Sequence, residues 1–312
     1  MRIAILGATS QIAKDLVISF SKTEDIQLYL FARRPDKVIA WLSLTGLTDR
    51  YRVDDFSGFA HSKLDAVINF VGIGNPAQTV VLGNAIFDVT LRFDEMVLEY
   101  LRSHSACRYL FLSSGSAYGT SFIEPADSDT QAVIAINNLA PQDWYGVAKL
   151  HAECRHRAHP DYSIIDIRVF NYFSRTQDIS ACFLITDILR AIRDRTVLKT
   201  SSEYTVRDYL HPFDFYRLVT VLLAGPMSNT VVDCYSRAPI DKLSLLAVMQ
   251  EQFGLQYDIT ETATIVNATG AKPHYYSLNT CAAEFGYQPS LTSLEGVIQE
   301  VTAILKRLAV RN

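Results

Sequence analysis

The sequence has few cysteines and no long apolar run, and both absences narrow the class of protein. Its 312 residues include five cysteines, an odd number, and no two of them form a CxxC pair. A disulfide framework or a structural zinc site is therefore not expected, and a reducing cytoplasm suits the chain. No apolar stretch reaches the ~18 residues that a membrane-spanning helix needs. The N-terminus MRIAILGATSQ lacks the apolar length and cleavage site of a signal peptide.

The sequence also has no block of residues with charge of one sign. The formal net charge is -4 and the pI is about 6.0. Binding to nucleic acid or to a membrane surface is therefore not expected. With 49% hydrophobic residues, the chain can bury a substantial core, and a small molecule is its expected partner.

Short apolar runs alternate with helical segments through the first half of the chain. Segments whose apolar residues recur at helical spacing lie at 12–22, 93–103 and 145–158. This alternation predicts an α/β fold with a Rossmann-type, doubly wound parallel sheet and helices on both faces. The apolar runs are rich in β-branched and aromatic residues and lie at 2–7, 26–32, 66–72, 108–114 and 163–170.

After about residue 172 the pattern is less regular, with a helix near 181–194, a strand at 230–236 and two final helical segments. We expect an NAD(P)-binding Rossmann domain and a smaller C-terminal α/β lobe that binds substrate. The Rossmann domain is expected to comprise residues 1–171, with returning segments at about 204–235. The smaller lobe is expected to comprise residues 172–203 and 236–312. Ligands of such sheets bind beyond the carboxyl ends of the strands, so the residues after each strand are the candidates.

The loop GATSQIA, residues 7–13, joins the first strand to the first helix. Amide N–H groups and the helix dipole can bind a pyrophosphate there. The loop is similar to a GxxGxxG pattern, with Ser10 and Ala13 at the last two glycine positions. The Cβ of Ser10 limits the approach of phosphate, although its hydroxyl could donate a hydrogen bond instead. An ordinary tight turn is the alternative. The candidate cofactor contacts here are Gly7, Thr9, Ser10, Gln11 and Ile12.

The end of the second strand indicates which dinucleotide is bound. FARRPDK places Arg33 and Arg34 where an NAD site needs a carboxylate for the ribose hydroxyls. Guanidinium groups suit a 2′-phosphate, so NADP(H) is favoured and NAD(H) remains possible. Two solvated arginines, with Asp36 reaching the ribose, are the alternative. Further candidate cofactor contacts are Asp55, with Asp54 as its alternative, at the adenine edge, and Phe70 and Gly72 after the run at 66–72.

The segment DWYGVAKL, residues 143–150, places Tyr145 and Lys149 on one face of a helix. A free phenol, with a pKa of about 10, is a poor base at neutral pH, and a nearby ammonium favours its ionised form. Ser114 in LSSGSAYG, residues 112–119, could hold a substrate oxygen. Taken alone, a Tyr/Lys pair at this spacing most often reflects packing.

Together these segments resemble an extended short-chain dehydrogenase/reductase, of the group that includes nucleotide-sugar epimerases, dehydratases and reductases. The resemblance covers nearly the whole chain and keeps the family's order and approximate spacing. It is carried by the loop at 7–13, LSSGSAYG, PQDWYGVAK (141–149), RVFNYFSRTQ (168–177), VRDYLHPFDF (206–215) and FGYQPS (285–290).

The resemblance implies roles for individual residues. Tyr145 matches the acid/base, Ser114 the hydrogen-bonding Ser or Thr, and Lys149 the residue that holds the nicotinamide ribose, so that Tyr145 and Lys149 also contact the cofactor. The implied substrate contacts are Ser116, Asn171 and Arg207.

Arg207 matches a residue that binds a diphosphate, and an ion pair with Asp208 is its alternative role. After Asn171, the sequence departs from the family's usual Tyr-Gly-Pro, which leaves the substrate geometry open.

The residues after Ser114 separate the reactions of this family. Gly115 and Ser116 stand where its 4,6-dehydratases have an Asp-Glu pair, so dehydration is disfavoured. The arginine pair at 33–34 favours an NADPH-dependent reductase of a keto nucleotide sugar, a 4-keto-6-deoxyhexose nucleotide. A nucleotide-sugar 4-epimerase is the first alternative, a non-catalytic NADP-binding protein of the same fold the second, and a reductase of a lipid or phenol-like ketone the third.

Three weaker signals stay open. HAECRHRAH, residues 151–159, concentrates histidine, but its side chains point around more than one face, so no metal site is expected. His211 could contact a base or cap the loop. The apolar faces of the helices at 92–102 and 145–155 could be core or could form a homodimer through a four-helix interface.

Overall fold

A seven-stranded sheet, parallel throughout, forms the centre of the protein. A computed structural model describes residues 1–72, 82–260 and 272–309. The central sheet has the order β11-β6-β5-β4-β1-β2-β3, which confirms the predicted doubly wound Rossmann-type fold. The described strands are β1 (Arg2–Leu6), β2 (Gln27–Phe31), β3 (Arg52–Asp54), β4 (Ala66–Asn69), β5 (Arg108–Ser114), β6 (Ile164–Val169), β7 (Asn171–Tyr172), β8 (Val197–Thr200), β9 (Val206–Arg207), β10 (Tyr209–Leu210), β11 (Thr230–Asp233), β12 (Ile240–Asp241), β13 (Gln256–Ile259) and β14 (His274–Tyr275).

Helices cover both faces of this sheet. In the described ranges they are α1 (Gln11–Phe20), α2 (Pro35–Leu44), α3 (Ala85–Ser103), α4 (Pro141–Arg157), α5 (Leu184–Asp194), α6 (Pro212–Ala224), α7 (Lys242–Phe253) and α8 (Ser293–Ala309). Short 3-10 turns lie at 56–61, 115–118, 136–138 and 281–285. None of these helices combines the length and apolarity needed to cross a membrane.

The alternation of side chains along β1 shows how the sheet builds two cores. Ile3 and Ile5 pack with apolar residues of α1, α2 and α6, whereas Ala4 and Leu6 face those of α3 and α4. Each fully buried side chain of this size contributes about 1.5–3 kcal/mol of hydrophobic stabilisation. Burial on both faces therefore explains why the central strands read as continuous apolar runs.

The apolar face of α3 belongs to the core rather than to the surface. Phe93, Val97 and Leu101 are buried against the sheet, and the exposed side of the helix carries charge, including Arg92 and Glu95. The homodimer stays a prediction.

The sequence did not reveal α2 and α6. Both begin at a proline, Pro35 and Pro212, which suits the first helical position because its fixed φ matches the helix and its missing N–H needs no partner there. In α6 the segment FDFYRLVTVLLA is rich in aromatic and β-branched residues, a composition equally typical of a strand. Its start is capped by His211, whose Nδ1 accepts the N–H of Phe213 at 3.1 Å.

A second, smaller core lies among α5, α7 and α8, with Ile188, Leu246, Met249 and Val301 buried together. Around it lie three small sheets, in which β9 pairs with β12 and β14, β10 with β7, and β13 with β8. Strand β11 joins the edge of the central sheet beside β6. The division into two lobes at the boundaries expected from the sequence stays a prediction.

Candidate active site

Helix α4 packs directly on the turn that follows β5. Its first turn is closed by Asp143, whose carboxylate accepts the N–H of Ala140 at 2.9 Å. One turn further, a Cβ at Gly146 would overlap the carbonyl oxygen of Ser116. The absence of a side chain at Gly146 is therefore what lets α4 approach residues 115–118, with Tyr145 beside the end of β5.

Lys149 lies beneath Tyr145 on the inner side of α4. It is 3% exposed, its Nζ donates to the carbonyl oxygen of Leu112 at 2.6 Å, and Nζ lies 5.9 Å from the centre of the Tyr145 ring. Burial lowers the pKa of Lys149 to about 8, and the nearby carboxylate of Glu153 opposes that shift. At neutral pH the ammonium therefore remains charged close to the phenol.

The phenol of Tyr145 is held in its protonated form. Burial raises its pKa well above the usual value, the neighbouring Tyr275 phenol adds to the shift, and the nearby Ser114 hydroxyl opposes it. In this arrangement Tyr145 is poised to give a proton to an oxygen that develops negative charge.

Ser114 ends β5 and is buried beside Tyr145. Its Oγ accepts the N–H of Ser116 at 3.2 Å and lies 3.2 Å from the hydroxyl of Tyr275. The Oγ of Ser116 lies 3.0 Å from the same phenol. The structure thus brings together the three expected catalytic residues and adds Tyr275, which sequence reasoning missed.

The loop after β1 has the geometry of an anion site. Gly7 has a φ of +76°, and a Cβ there would lie 3.0 Å from the backbone of Phe70 and Val71, so the position requires glycine. Ser10 caps α1 by accepting the N–H of Ala13 at 3.4 Å.

Two first-turn amides of α1 point into the space beside this loop. Among the described residues no acceptor takes the amide N–H of Gln11 or Ile12. The side chain of Gln11 donates instead to Ser174 Oγ at 2.9 Å, and Thr9 is exposed. These amides, at the N-terminus of α1 beside the tight turn at Gly7, fit the pyrophosphate of a dinucleotide.

Arg33 and Arg34 follow β2 with exposed side chains. Of the carboxylates in this region of the described chain, Asp54 and Asp55 are engaged elsewhere, whereas Asp36, in the first turn of α2, is exposed and forms no ion pair with either arginine. Asp54 pairs with Arg52 at 3.3 Å, and Asp55 accepts the N–H of Ser57 at 2.8 Å. The two guanidinium groups are therefore free to contact a ligand at the end of β2, and Asp55 caps a 3-10 turn.

Phe70 and Gly72 lie at the end of β4, on either side of the gap between the loop and α4. Phe70 is 3% exposed, and its N–H donates to the carbonyl of Leu6 at 2.9 Å. A Cβ at Gly72 would lie 3.4 Å from the Nζ of Lys149. The cofactor candidates thus run along one edge of the sheet, from the loop to Lys149.

Asn171 and Arg207 hold the segment that contains Tyr275. The amide of Asn171 donates to the carbonyl oxygen of Tyr275 at 3.2 Å. Nη1 of Arg207 donates to the carbonyl oxygens of Val206 and Lys272, each at 2.7 Å.

The alternative pair of Arg207 with Asp208 does not form. Asp208 accepts hydrogen bonds from Ser236 and Ser293 at 2.8 and 2.7 Å. No carboxylate within the described ranges forms an ion pair with Arg207, and its pKa is lowered by burial. Arg207 is therefore a partly buried cation that donates to backbone carbonyl oxygens and has no carboxylate partner among the described residues, a setting that suits an anionic ligand.

The histidine-rich end of α4 forms a buried ion cluster. His156 is fully buried, and its ring nitrogens contact Asp94 at 2.7 Å and Asp166 at 2.6 Å. His151 and Cys154 are exposed on other sides of the helix. His156 thus joins α4 to α3 and β6.

Residues 3–234 match the family model described as "NAD dependent epimerase/dehydratase family". The chain belongs to this family. The match takes in the loop after β1, the end of β5 and helix α4, and it confirms the resemblance to extended short-chain dehydrogenases/reductases. It also confirms the assignment of the chain as an NAD(P)-dependent enzyme of that type.

Two curated relatives match this chain over part of their length. UDP-glucose 4-epimerase 2 and UDP-glucose 4-epimerase 4, both from Oryza sativa subsp. japonica, are 29% and 30% identical to it over 117 residues. Each match takes in 36% of this chain, and 27% and 30% of the respective relatives. The matched region thus spans less than a third of each relative.

Solved structures share the fold along the full chain. A UDP-glucose-4-epimerase from Stenotrophomonas maltophila, with bound NAD and formylated UDP-arabinopyranose, has a TM-score of 0.80 at 13% identity and covers 100% of both chains. A UDP-glucuronic acid 4-epimerase from Bacillus cereus, in complex with UDP-glucuronic acid and NAD, has a TM-score of 0.76 at 15% identity, covering 99% of this chain and 100% of that one. A dTDP-glucose 4,6-dehydratase from Bacillus anthracis str. Ames, in complex with NAD, has a TM-score of 0.76 at 14% identity, covering 99% and 98%. At these identities the likeness establishes the fold.

Proposed function

We propose that this enzyme is an NADPH-dependent reductase that acts on a keto nucleotide sugar, a 4-keto-6-deoxyhexose nucleotide. The observation that carries the choice of cofactor is the exposed Arg33–Arg34 pair at the end of β2, where Asp54 and Asp55 are engaged elsewhere. Asp36, exposed in the first turn of α2, is the carboxylate that could contact the ribose of NAD(H), the alternative cofactor. Two guanidinium groups can bind a 2′-phosphate through planar, charge-assisted hydrogen bonds. A reductase consumes reducing equivalents, for which NADPH is the natural source.

The site supports reduction through the protonation state of its groups. Bound NADPH would supply a hydride to the keto carbon. Tyr145, whose pKa burial raises, would give its proton to the resulting alkoxide, while Ser114 holds the same oxygen. The ammonium of Lys149 would hold the nicotinamide ribose beneath them.

The substrate class follows from Arg207. A partly buried guanidinium without a carboxylate partner among the described residues favours a ligand that carries negative charge, such as a nucleotide diphosphate. Asn171, beside it, would contact the sugar. A neutral lipid or phenolic ketone would leave the charge of Arg207 uncompensated.

Dinucleotide binding tests the choice of cofactor. Equilibrium binding of NADPH, NADP, NADH and NAD would be compared for the wild-type protein, for Arg33→Ala/Arg34→Ala, and for Arg50→Ala. Arg50 is a matched control because it is an exposed arginine near the opposite, amino edge of the sheet, beside Gln27.

We expect the double variant to lose about 10- to 100-fold in NADPH affinity and to keep its NADH affinity, because a charge-assisted hydrogen bond contributes about 1.5–3 kcal/mol. Arg50→Ala should change neither the NADPH affinity nor the NADH affinity. Equal loss for NADPH and NADH, or no loss, would contradict the assignment to a 2′-phosphate.

Turnover then tests the reaction. The fall in nicotinamide absorbance would be followed with NADPH and a set of 4-keto-6-deoxyhexose nucleotides, for the wild type and for Tyr145→Phe. We expect oxidation of the cofactor that depends on the sugar and falls by a factor of about 100 or more in the variant.

A nucleotide-sugar 4-epimerase is the second candidate. It is favoured by the two curated relatives, which are both named UDP-glucose 4-epimerases. An epimerase keeps its dinucleotide through the cycle, so a purified protein that carries tightly held NAD and interconverts UDP-sugars without net NADPH oxidation would place this reaction first.

A further inference from the structure

Four polar side chains, from Ser114 to Lys272, are linked by short contacts between the end of β5 and a small cleft. The Oγ of Ser114 lies 3.2 Å from the hydroxyl of Tyr275, that hydroxyl lies 3.0 Å from the Oγ of Ser116, and Ser116 accepts the Nζ of Lys272 at 3.3 Å. Ser114, Ser116 and Lys272 are 5%, 7% and 4% exposed. We name this group, Ser114, Tyr275, Ser116 and Lys272, the hydroxyl chain.

The hydroxyl chain can carry protons inward from Lys272. An ammonium can only donate, so Ser116 accepts from Lys272. In each contact of the Tyr275 hydroxyl either atom can be the donor, so Ser116 can donate to Tyr275 and Tyr275 to Ser114. The Oγ of Ser114 also accepts the N–H of Ser116, so in this arrangement both of its lone pairs are used and its own proton is left for Tyr145 and the reacting oxygen.

Tyr275 is held firmly in this position. Its ring packs edge-on against Phe122 with centroids 4.8 Å apart, and lies 5.2 Å from the ring of Phe170. Its backbone pairs with β9 next to Arg207, and Asn171 donates to its carbonyl oxygen. The phenol hydroxyl is therefore held in one position, between Ser114 and Ser116.

Lys272 can act as the proton source at the far end. Burial lowers its pKa to about 8, the Arg207 guanidinium lowers it further, and the Asp143 carboxylate opposes both. The rings of Tyr275 and Phe122 face the ammonium at 4.5 and 5.3 Å. Lys272 and Ser116 line a small cleft that also borders the exposed Thr120, and the amine would recover a proton from water on this side.

We propose that Tyr275, Ser116 and Lys272 are positioning residues that fix Ser114 as a hydrogen-bond donor and resupply the proton consumed by the reduction. The inference rests on the proposed reductase, because an epimerase returns the proton that it removes and needs no external supply.

The proton transfer balances as follows. Hydride addition to the keto carbon leaves an alkoxide, which takes the phenolic proton of Tyr145. The phenolate takes the proton of Ser114, and each member of the hydroxyl chain then takes one proton from the next, ending at Lys272. The lysine becomes a neutral amine and is protonated again by water.

The first test needs no substrate. In protein labelled with ¹³C-lysine, the signal of Lys272, assigned through Lys272→Arg, would be titrated by NMR in the wild type, in Ser116→Ala and in Tyr276→Phe. Removing the acceptor of the ammonium should lower the pKa of Lys272 by about one unit, because a hydrogen bond to a charged group is lost. Tyr276→Phe removes the neighbouring phenol, which lies outside the chain, and should leave the titration unchanged. An unchanged pKa in Ser116→Ala would overturn the chain.

The second test uses turnover of the wild type and of Tyr275→Phe, which keeps the ring and removes only the hydroxyl. We expect kcat to fall by at least about tenfold with KM unchanged, and Tyr276→Phe to behave as wild type. The ratio of wild-type to Tyr275→Phe kcat should be largest below about pH 8 and shrink above it, as Lys272 loses its proton in the wild type.

A wild-type kcat with the same pH profile in Tyr275→Phe would overturn the proton supply. If the wild type reduces no keto nucleotide sugar, the proposed reductase fails, and with it the proton supply, whereas the titration of Lys272 still decides whether the oriented hydroxyl chain exists.

Discussion

Replacing His156 by glutamine should change how the stability of the protein depends on pH. His156 lies on α4, fully buried between Asp94 of α3 and Asp166 of β6. Burial by itself lowers the pKa of His156, but Asp166 and Asp94 outweigh it through charge and hydrogen bonds and raise the pKa to about 9. The imidazolium is thus the cation of a buried cluster.

The magnitude follows from the difference between the folded and unfolded pKa values. A shift from 6.5 to about 9 corresponds to roughly 3 kcal/mol, at about 1.4 kcal/mol per pKa unit. Because the folded protein binds the proton more tightly, this stabilisation is fully present below about pH 6.5 and is lost as the pH rises through about 9. The Arg155 and Arg157 guanidinium groups pair with the same two carboxylates.

The free energy of unfolding in urea would be measured for the wild type and for His156→Gln at several values from about pH 6 to about pH 9.5. We expect the variant to be less stable at the acid end, with a gap between the two proteins that narrows by about 3 kcal/mol towards the alkaline end. His151→Gln is the matched control, since it makes the same replacement at an exposed position of the same helix. A gap that stays constant with pH, or widens as the pH rises, would refute the assignment of a charged, ion-paired His156.

Two glycines allow further tests of the site. Gly7→Ala should lose about 1–2 kcal/mol of stability from its left-handed φ and, because its Cβ would press on the strand beside the loop, should also weaken dinucleotide binding by about tenfold or more. Gly46→Ala has nearly the same φ but open space around it, so it should lose a similar amount of stability and keep its affinity for the dinucleotide. Equal dinucleotide affinity in the two variants would contradict a role of the loop at Gly7 in binding. Gly146→Ala should push α4 away from the carbonyl oxygen of Ser116. We expect kcat to fall by a much larger factor than the Kd for dinucleotide rises. An unchanged kcat would show that this close approach does not set the position of Tyr145.

The central sheet was predictable because its strands are buried on both faces. The runs at 2–7 and 163–170 became β1 (Arg2–Leu6) and β6 (Ile164–Val169), shifted by a residue or two at their ends. Helix α6 was missed because its aromatic and β-branched residues favour a strand locally, and only packing against the sheet makes it helical.

The inner half of the candidate site was also within reach of the sequence. Helical periodicity places Tyr145 and Lys149 on one face, and the alternation of strands and helices places Ser114 at the end of the strand that precedes their helix. Lys272 and Tyr275 lie far along the chain, and they reach Ser116 only because β14 pairs with β9, a pairing of two-residue strands that leaves no periodic signal. The role of His156 was hidden for the same reason, since its carboxylate partners come from other elements.

Helix α4 combines these two kinds of contact in one rigid element. Its first turns carry the proton donor Tyr145 and the ammonium of Lys149, and its last turns carry Glu153 and His156, buried and paired with groups of β6 and α3. The carboxylates of this outer half also oppose the fall in the pKa of Lys149 that burial causes. The ion cluster therefore fixes the helix and also helps to keep Lys149 charged at neutral pH. A buried ammonium without nearby negative charge would lose its proton more readily. The neutral amine would no longer favour ionisation of the Tyr145 phenol above it.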